Sequence, residues 1–160
     1  MTENDIRFMR RALELADMAA SLDEVPVGAV VVCDGEIVGE GYNRRETDKN
    51  ATAHAEVLAI DAACKRLGGW RLHKCDLYVT LEPCPMCAGA IVNSRIKRVI
   101  IGAKDAKAGA LGSVINMNHY PLNHKPEVVF GLCENEAKAQ LQRFFIRLRE
   151  IRSESSRSRG

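Results

Sequence analysis

Leu77-Tyr78-Val79-Thr80-Leu81-Glu82-Pro83-Cys84-Pro85-Met86-Cys87 passes from an apolar run to two cysteines three positions apart. The first part predicts a strand over 75–81. Residues 83–93 read as a short buried helix, rich in small side chains at Ala88, Gly89 and Ala90. Pro85 fits its first turn, where a missing N–H is harmless. Two thiols at i and i+3 on that turn share one face and lie at the positive end of the helix dipole, which favours thiolate. A strand that feeds a helix in this way is half of an α/β layer.

The flanking sequence repeats the pattern. Residues 5–22 place Ile6, Met9, Leu13, Ala16 and Ala20 at helical spacing. Residues 27–33 and 36–42 form a strand pair about the Asp34-Gly35 turn, and 44–53 is a polar loop. A helix over 54–67 stops at Gly68-Gly69. Further strands are expected at 98–103 and 128–132, with a last helix over 134–151. Residues 104–127 are irregular and long enough to suggest a functional loop. The expected fold is α/β: a three-layer α/β/α sandwich about a central five-stranded mixed sheet. Residues 1–152 form one domain and 153–160 a flexible Ser/Arg-rich tail.

The 160 residues carry 46% apolar and 28% charged side chains, with a net charge of +2. That is a globular composition without a chain-wide field for nucleic acid. No run approaches the roughly 20 apolar residues of a membrane helix, and the polar start is unlike a secretory signal. The expectation is a cytoplasmic protein without a membrane partner. Its six cysteines are then thiols or metal ligands rather than disulfides.

Cys84 and Cys87 need one imidazole to complete a three-ligand zinc site, and His54-Ala55-Glu56 offers it. Three protein ligands leave the fourth tetrahedral position open for water, as in catalytic zinc. Taken alone, C-x-x-C serves equally in redox or structural zinc sites. Glu56, two residues after His54, would diverge from it on a regular helix. The helix must therefore start at His54 if both side chains are to enter one pocket. A carboxylate there can act as proton shuttle. Cys33, Cys64, Cys75 and Cys133 read as buried structural thiols, and His73, His119 and His124 have no metal-like spacing.

These two segments, in this order, resemble the zinc-dependent nucleobase and nucleoside deaminases. Further runs resemble the bacterial-type tRNA-specific adenosine deaminases across about residues 5–150. They include Glu24-Val25-Pro26-Val27-Gly28-Ala29-Val30, Gly39-Glu40-Gly41-Tyr42-Asn43, Thr52-Ala53-His54-Ala55-Glu56, Gly102-Ala103-Lys104-Asp105-Ala106-Lys107 and Asn123-His124, with 77–84 and 87–90 around the cysteines. The resemblance implies a cytidine deaminase-like fold, one Zn2+ per chain, a homodimer, and hydrolysis of the wobble adenosine of a tRNA anticodon arm to inosine. It implies zinc ligands at His54, Cys84 and Cys87, and a shuttle at Glu56. It places a base contact at Asn43 and the Ala55 N–H beside the reacting carbon's oxygen. Asp105 and Asn123 then hold anticodon nucleotides, and Phe144 with the following arginines borders the RNA. Several relatives carry a basic residue straight after the double phenylalanine, where this chain has Ile146 and then Arg147.

From Arg143 onward six arginines stand against two glutamates, so this end is basic. Arg147 and Arg149 can meet phosphate there, and Lys107 can do so in the long loop. Read by residue type alone, Asn43 could cap a turn, Phe144 could be core, and the arginines could be a solvated face. Two other functions compete: deamination of a free base or nucleoside (guanine, cytosine or cytidine), and a non-catalytic zinc-stabilised tRNA-binding subunit. The acid beside the metal ligands argues against the second.

Overall fold

The computed structural model describes residues 1–158. Helix α1 (Glu3–Ser21) leads into the hairpin β1 (Gly28–Cys33) and β2 (Glu36–Tyr42). Then follow α2 (Ala55–Leu67), β3 (Cys75–Leu81), α3 (Pro85–Ser94), β4 (Arg98–Ala103), β5 (Glu127–Phe130) and α4 (Glu134–Ser158). The sheet order is β2-β1-β3-β4-β5. β1 runs antiparallel to β2 and β3, while β3, β4 and β5 are parallel. This is the five-stranded mixed sheet expected from the sequence.

The inner strands are apolar without alternation because helices cover both faces. Val31, Leu77, Val79, Val99 and Ile101 pack with Ala59 and Ala63 of α2 and Ile91 of α3. Their neighbours Val30, Val32, Tyr78 and Ile100 point the other way, against Phe8, Met9, Ala12 and Leu15 of α1. α4 joins this second layer, where Gln140 donates to the Leu13 carbonyl at 2.8 Å. Beneath α1, Tyr78 donates to Asp5 at 2.5 Å and Arg98 donates to the same carboxylate at 3.0 Å.

Glycine sets the height of α2 over β2. A Cβ on Gly41 would lie 2.3 Å from the Ala55 carbonyl oxygen, and one on Gly39 2.2 Å from that of Ala59. Any side chain at either position would push the helix, and the site at its start, off the sheet.

The structure differs most from the sequence expectation at β5, α3 and α4. β5 covers Glu127–Phe130, because Gly131 (φ 94°) and Cys133 (φ 54°) turn the chain and send Leu132 into the α1 layer. α3 begins at Pro85, with Cys84 as its N-cap. α4 continues to Ser158, through the segment expected to be a flexible tail. Residues 152–158 contain no Gly or Pro to stop it, and they stay exposed. Arg159 and Gly160, the end of that expected tail, lie outside the described residues.

Candidate active site and metal centre

The N-termini of α2 and α3 meet beside the carboxyl end of β3. Each begins with a residue in extended backbone conformation, His54 (φ −84°, ψ 151°) and Cys84 (φ −73°, ψ 173°). Neither N-cap side chain bonds its own helix, so both are free to turn toward each other. His54 Nδ1 lies 3.7 Å from Cys84 Sγ and 3.6 Å from Cys87 Sγ. All three ligand atoms fall within 4.8 Å of one another. A tetrahedral zinc ion with ordinary Zn–N and Zn–S bonds separates its nitrogen and sulfur ligands by about 3.5 Å. The donor set and its spacing therefore fit zinc. Among the described residues this is the one such cluster. Cys33, Cys64, Cys75 and Cys133 are free thiols apart from it.

The charges in the site are tightly coupled. The Cys87 thiol donates to Cys84, and together with His54 this draws the Cys84 thiol down to about 4. The same hydrogen bond, with burial, pushes Cys87 up. A metal ion binding both sulfurs takes them as thiolates and displaces their protons. The hydrogen bond to Cys84 raises His54. Glu56 is buried at 4% exposure, and that burial, reinforced by the Cys84 thiolate, pushes its carboxyl up to about 7. A carboxyl poised there can accept and return a proton near neutral pH.

A cavity of about 190 Å³ opens over this cluster, lined by Asn43, Arg45, His54, Ala55, Glu56, Cys84 and Asp105 among others. Asn43 is held by the Val25 carbonyl, to which its Nδ2 donates at 3.3 Å. Asp105 folds its carboxylate back onto the N–H groups of Lys107 and Ala108. Lys107 and Asn123 are exposed and lie outside the lining. Phe144 meets Phe145 edge-on at 5.3 Å, and Arg147 pairs with Asp23 at 3.3 Å, both away from the cavity. Arg149 is exposed on α4.

Three residues that the sequence reading gave no role complete the walls. Arg45 brings a cation to the lining. Glu24 and Glu82, each 2% exposed, moor the two rim loops. Glu24 accepts from the N–H groups of Glu46 and Thr47 and from the Thr47 hydroxyl. Glu82 does the same for residues 105–113. The available signal was an acid next to an apolar strand run, four residues before β1 for Glu24 and just past β3 for Glu82; the bonding partners lie too far along the chain to be read.

Residues 2–103 match the cytidine and deoxycytidylate deaminase zinc-binding region. The chain belongs to this deaminase family. Within it, the chain is 48% identical over 151 residues to the tRNA-specific adenosine deaminase of Bacillus subtilis (strain 168), covering 94% of this chain and 93% of that one. A solved structure from work on A-to-I editing by tRNA:A34 deaminases at the wobble position of transfer RNA superposes with a TM-score of 0.83. It is 46% identical and covers 84% of this chain and 99% of its own. The guanine deaminase of Bacillus subtilis is more distant, at a TM-score of 0.60 and 36% identity, covering 77% and 88%. The cytidine deaminase-like fold and the zinc-binding character expected from the sequence are thus both found.

Proposed function

We propose that the protein hydrolyses adenosine to inosine at the wobble position of a tRNA anticodon, with release of ammonia, as a cytoplasmic homodimer holding one zinc ion per chain. The observation that carries the chemistry is Glu56, a buried carboxyl in the same cavity as His54 and Cys84. The choice of tRNA is supported by the similarity to tRNA-specific adenosine deaminases over nearly the whole chain.

His54, Cys84 and Cys87 would hold the zinc ion, which when bound supplies the Lewis acidity that brings water toward ionisation at neutral pH. The target adenosine is splayed from the anticodon loop, since its C6 cannot be reached in a stack. Glu56 takes a proton from the attacking water and delivers it to ring N1, then carries the second to the departing amine. Asn43 hydrogen-bonds the base, and the Ala55 N–H faces the oxygen arriving at C6. Asp105, Lys107 and Asn123 hold neighbouring nucleotides of the anticodon arm. Phe144, Arg147 and Arg149 border the RNA farther out. Met86, Val114, Ile115, Tyr120 and Leu122 are exposed apolar side chains available to a second copy.

Deamination of a free base is the second reading, favoured by the likeness to guanine deaminase. Incubation with unmodified tRNA transcripts, sequenced for adenosine-to-inosine changes, is compared with ammonia release from guanine, cytosine and cytidine. Inosine at the wobble position supports the proposal. Ammonia from a free base without inosine in tRNA overturns it.

A further inference from the structure

We propose that Glu82 is a positioning residue for substrate RNA, a buried carboxylate that fixes the shape of the rim segment 105–113 facing the bound nucleotides. The inference rests on the deaminase reading above. Glu82 directly follows Leu81, the last residue of β3, two residues before Cys84, and is 2% exposed. Its Oε1 accepts from the Asp105 N–H at 3.2 Å and from the Ser113 hydroxyl. Its Oε2 accepts from the N–H groups of Leu111 and Ser113, both at 3.1 Å. These are charge-assisted bonds from a buried anion, the strong kind. They tie both ends of the segment to one strand terminus.

The segment is moulded on that carboxylate. A Cβ at Gly109 would lie 2.4 Å from the Glu82 carboxyl carbon and from Oε2, so only glycine fits. Ala110 N–H donates to the Pro83 carbonyl at 2.8 Å, adding a tether beside Glu82. Asp105, held by Glu82 through its own N–H, turns its carboxylate onto Lys107 and Ala108. Asp105 and Ala108 then line the cavity. With its oxygens engaged by four donors, Glu82 has no part in ligating metal or moving protons. Its influence reaches the substrate through Asp105 and the turn after it. A single strand end thus presents the ligand Cys84 to the metal and fixes the wall across which the RNA lies.

Glu82→Gln tests this with little change in volume. Its amide nitrogen settles at the Oε1 position, because at Oε2 it would face two N–H groups rather than one. There the Ser113 hydroxyl can rotate to accept, while the Asp105 N–H loses its partner. The variant is expected to keep wild-type zinc content and kcat within about twofold on an anticodon stem-loop. Its KM is expected to rise about tenfold, the worth of one such hydrogen bond. Amide hydrogen exchange quickens at Asp105 and not at Leu111. Gly109→Ala, which perturbs the same contact from the loop side, gives the same KM-weighted defect. Unchanged KM with unchanged exchange at Asp105 overturns the proposal. So does loss of zinc or of kcat at constant KM, which would place Glu82 in the metal site. If the wild-type protein makes no inosine in tRNA, the functional reading fails, and exchange at Asp105 still decides whether Glu82 moors the loop.

Discussion

His54 and Glu56, two residues apart, open into one cavity because helix α2 begins between them. Inside a helix, side chains at that spacing diverge by about 200°. The extended backbone of His54 removes the divergence: the imidazole swings toward Cys84 and Cys87 while Glu56, on the first turn, drops into the buried wall. The imidazole and the carboxyl are adjacent in space because one peptide is helical and its predecessor is not.

Glu56→Gln keeps the shape of that wall and removes the carboxyl proposed to move protons. Turnover on an anticodon stem-loop is expected to fall by about 10²–10⁴-fold with bound zinc retained. Single-turnover inosine formation and zinc analysis of the same sample check this.

Replacing His54, Cys84 or Cys87 by Ala leaves two ligands. Each variant should lose zinc and activity together, and chelation of the wild-type protein should do the same. Because metal binding stabilises only the folded chain, the chelated protein should also melt at lower temperature. Calorimetry with and without chelator measures the shift.

Gly41→Ala should damage the site without touching it. Its Cβ would press on the Ala55 carbonyl at the first turn of α2, immediately after His54. Overpacking of this kind costs about 1–3 kcal/mol. A lower urea midpoint accompanied by weaker zinc retention is the expected pair of readouts.

Asp5 gives the fold an acid-sensitive strut. Burial pushes its carboxyl up, but the Tyr78 hydroxyl, the Thr2 N–H and Arg98 outweigh this and hold it down at about 2 instead of 3.8. Since the folded value lies below the unfolded one, the carboxylate contributes its stability in full above pH 4. That contribution is lost as pH falls toward 2. It amounts to about 2 kcal/mol. Asp5→Asn should be less stable than wild type by roughly that amount at pH 7, with the gap closing between pH 4 and 2 in urea titrations.

Arg147 is joined to Asp23 in an exposed pair, whose contribution to stability is small. If it meets phosphate in the complex, Arg147→Ala should leave the melting temperature nearly unchanged and weaken tRNA binding. The slope of log affinity against log salt should fall by about one. Binding titrations at several salt concentrations measure it.

Much of this site was legible before any fold was considered. Cys84 and Cys87 lie three apart behind a helix-starting proline, and His54-Ala55-Glu56 precedes its own apolar stripe. β2 and β3 end where their residue types change. Of the boundaries that differ, the one at β5 is set by a left-handed backbone at Gly131 and Cys133, which overrides an apolar run continuing to Leu132. The roles of Glu24 and Glu82 escaped notice because their partners lie more than twenty residues onward, at Thr47 and between Asp105 and Ser113. An isolated acid beside a strand announces a partner without naming it.

The sequence by itself determined the candidate ligand types, the succession of strands and helices along the chain, and the place where α2 must start, while the order of strands within the sheet came from the structure. These are local matters, settled by side-chain chemistry and by periodicity over a few residues. Only the tertiary structure decided which loops wall the cavity, that Arg45 joins them, and that two buried carboxylates hold them. Those arrangements depend on segments distant in the chain meeting over the end of a sheet. Their meeting is fixed by how closely α2 packs on glycines and by the need of every buried anion for hydrogen-bond donors.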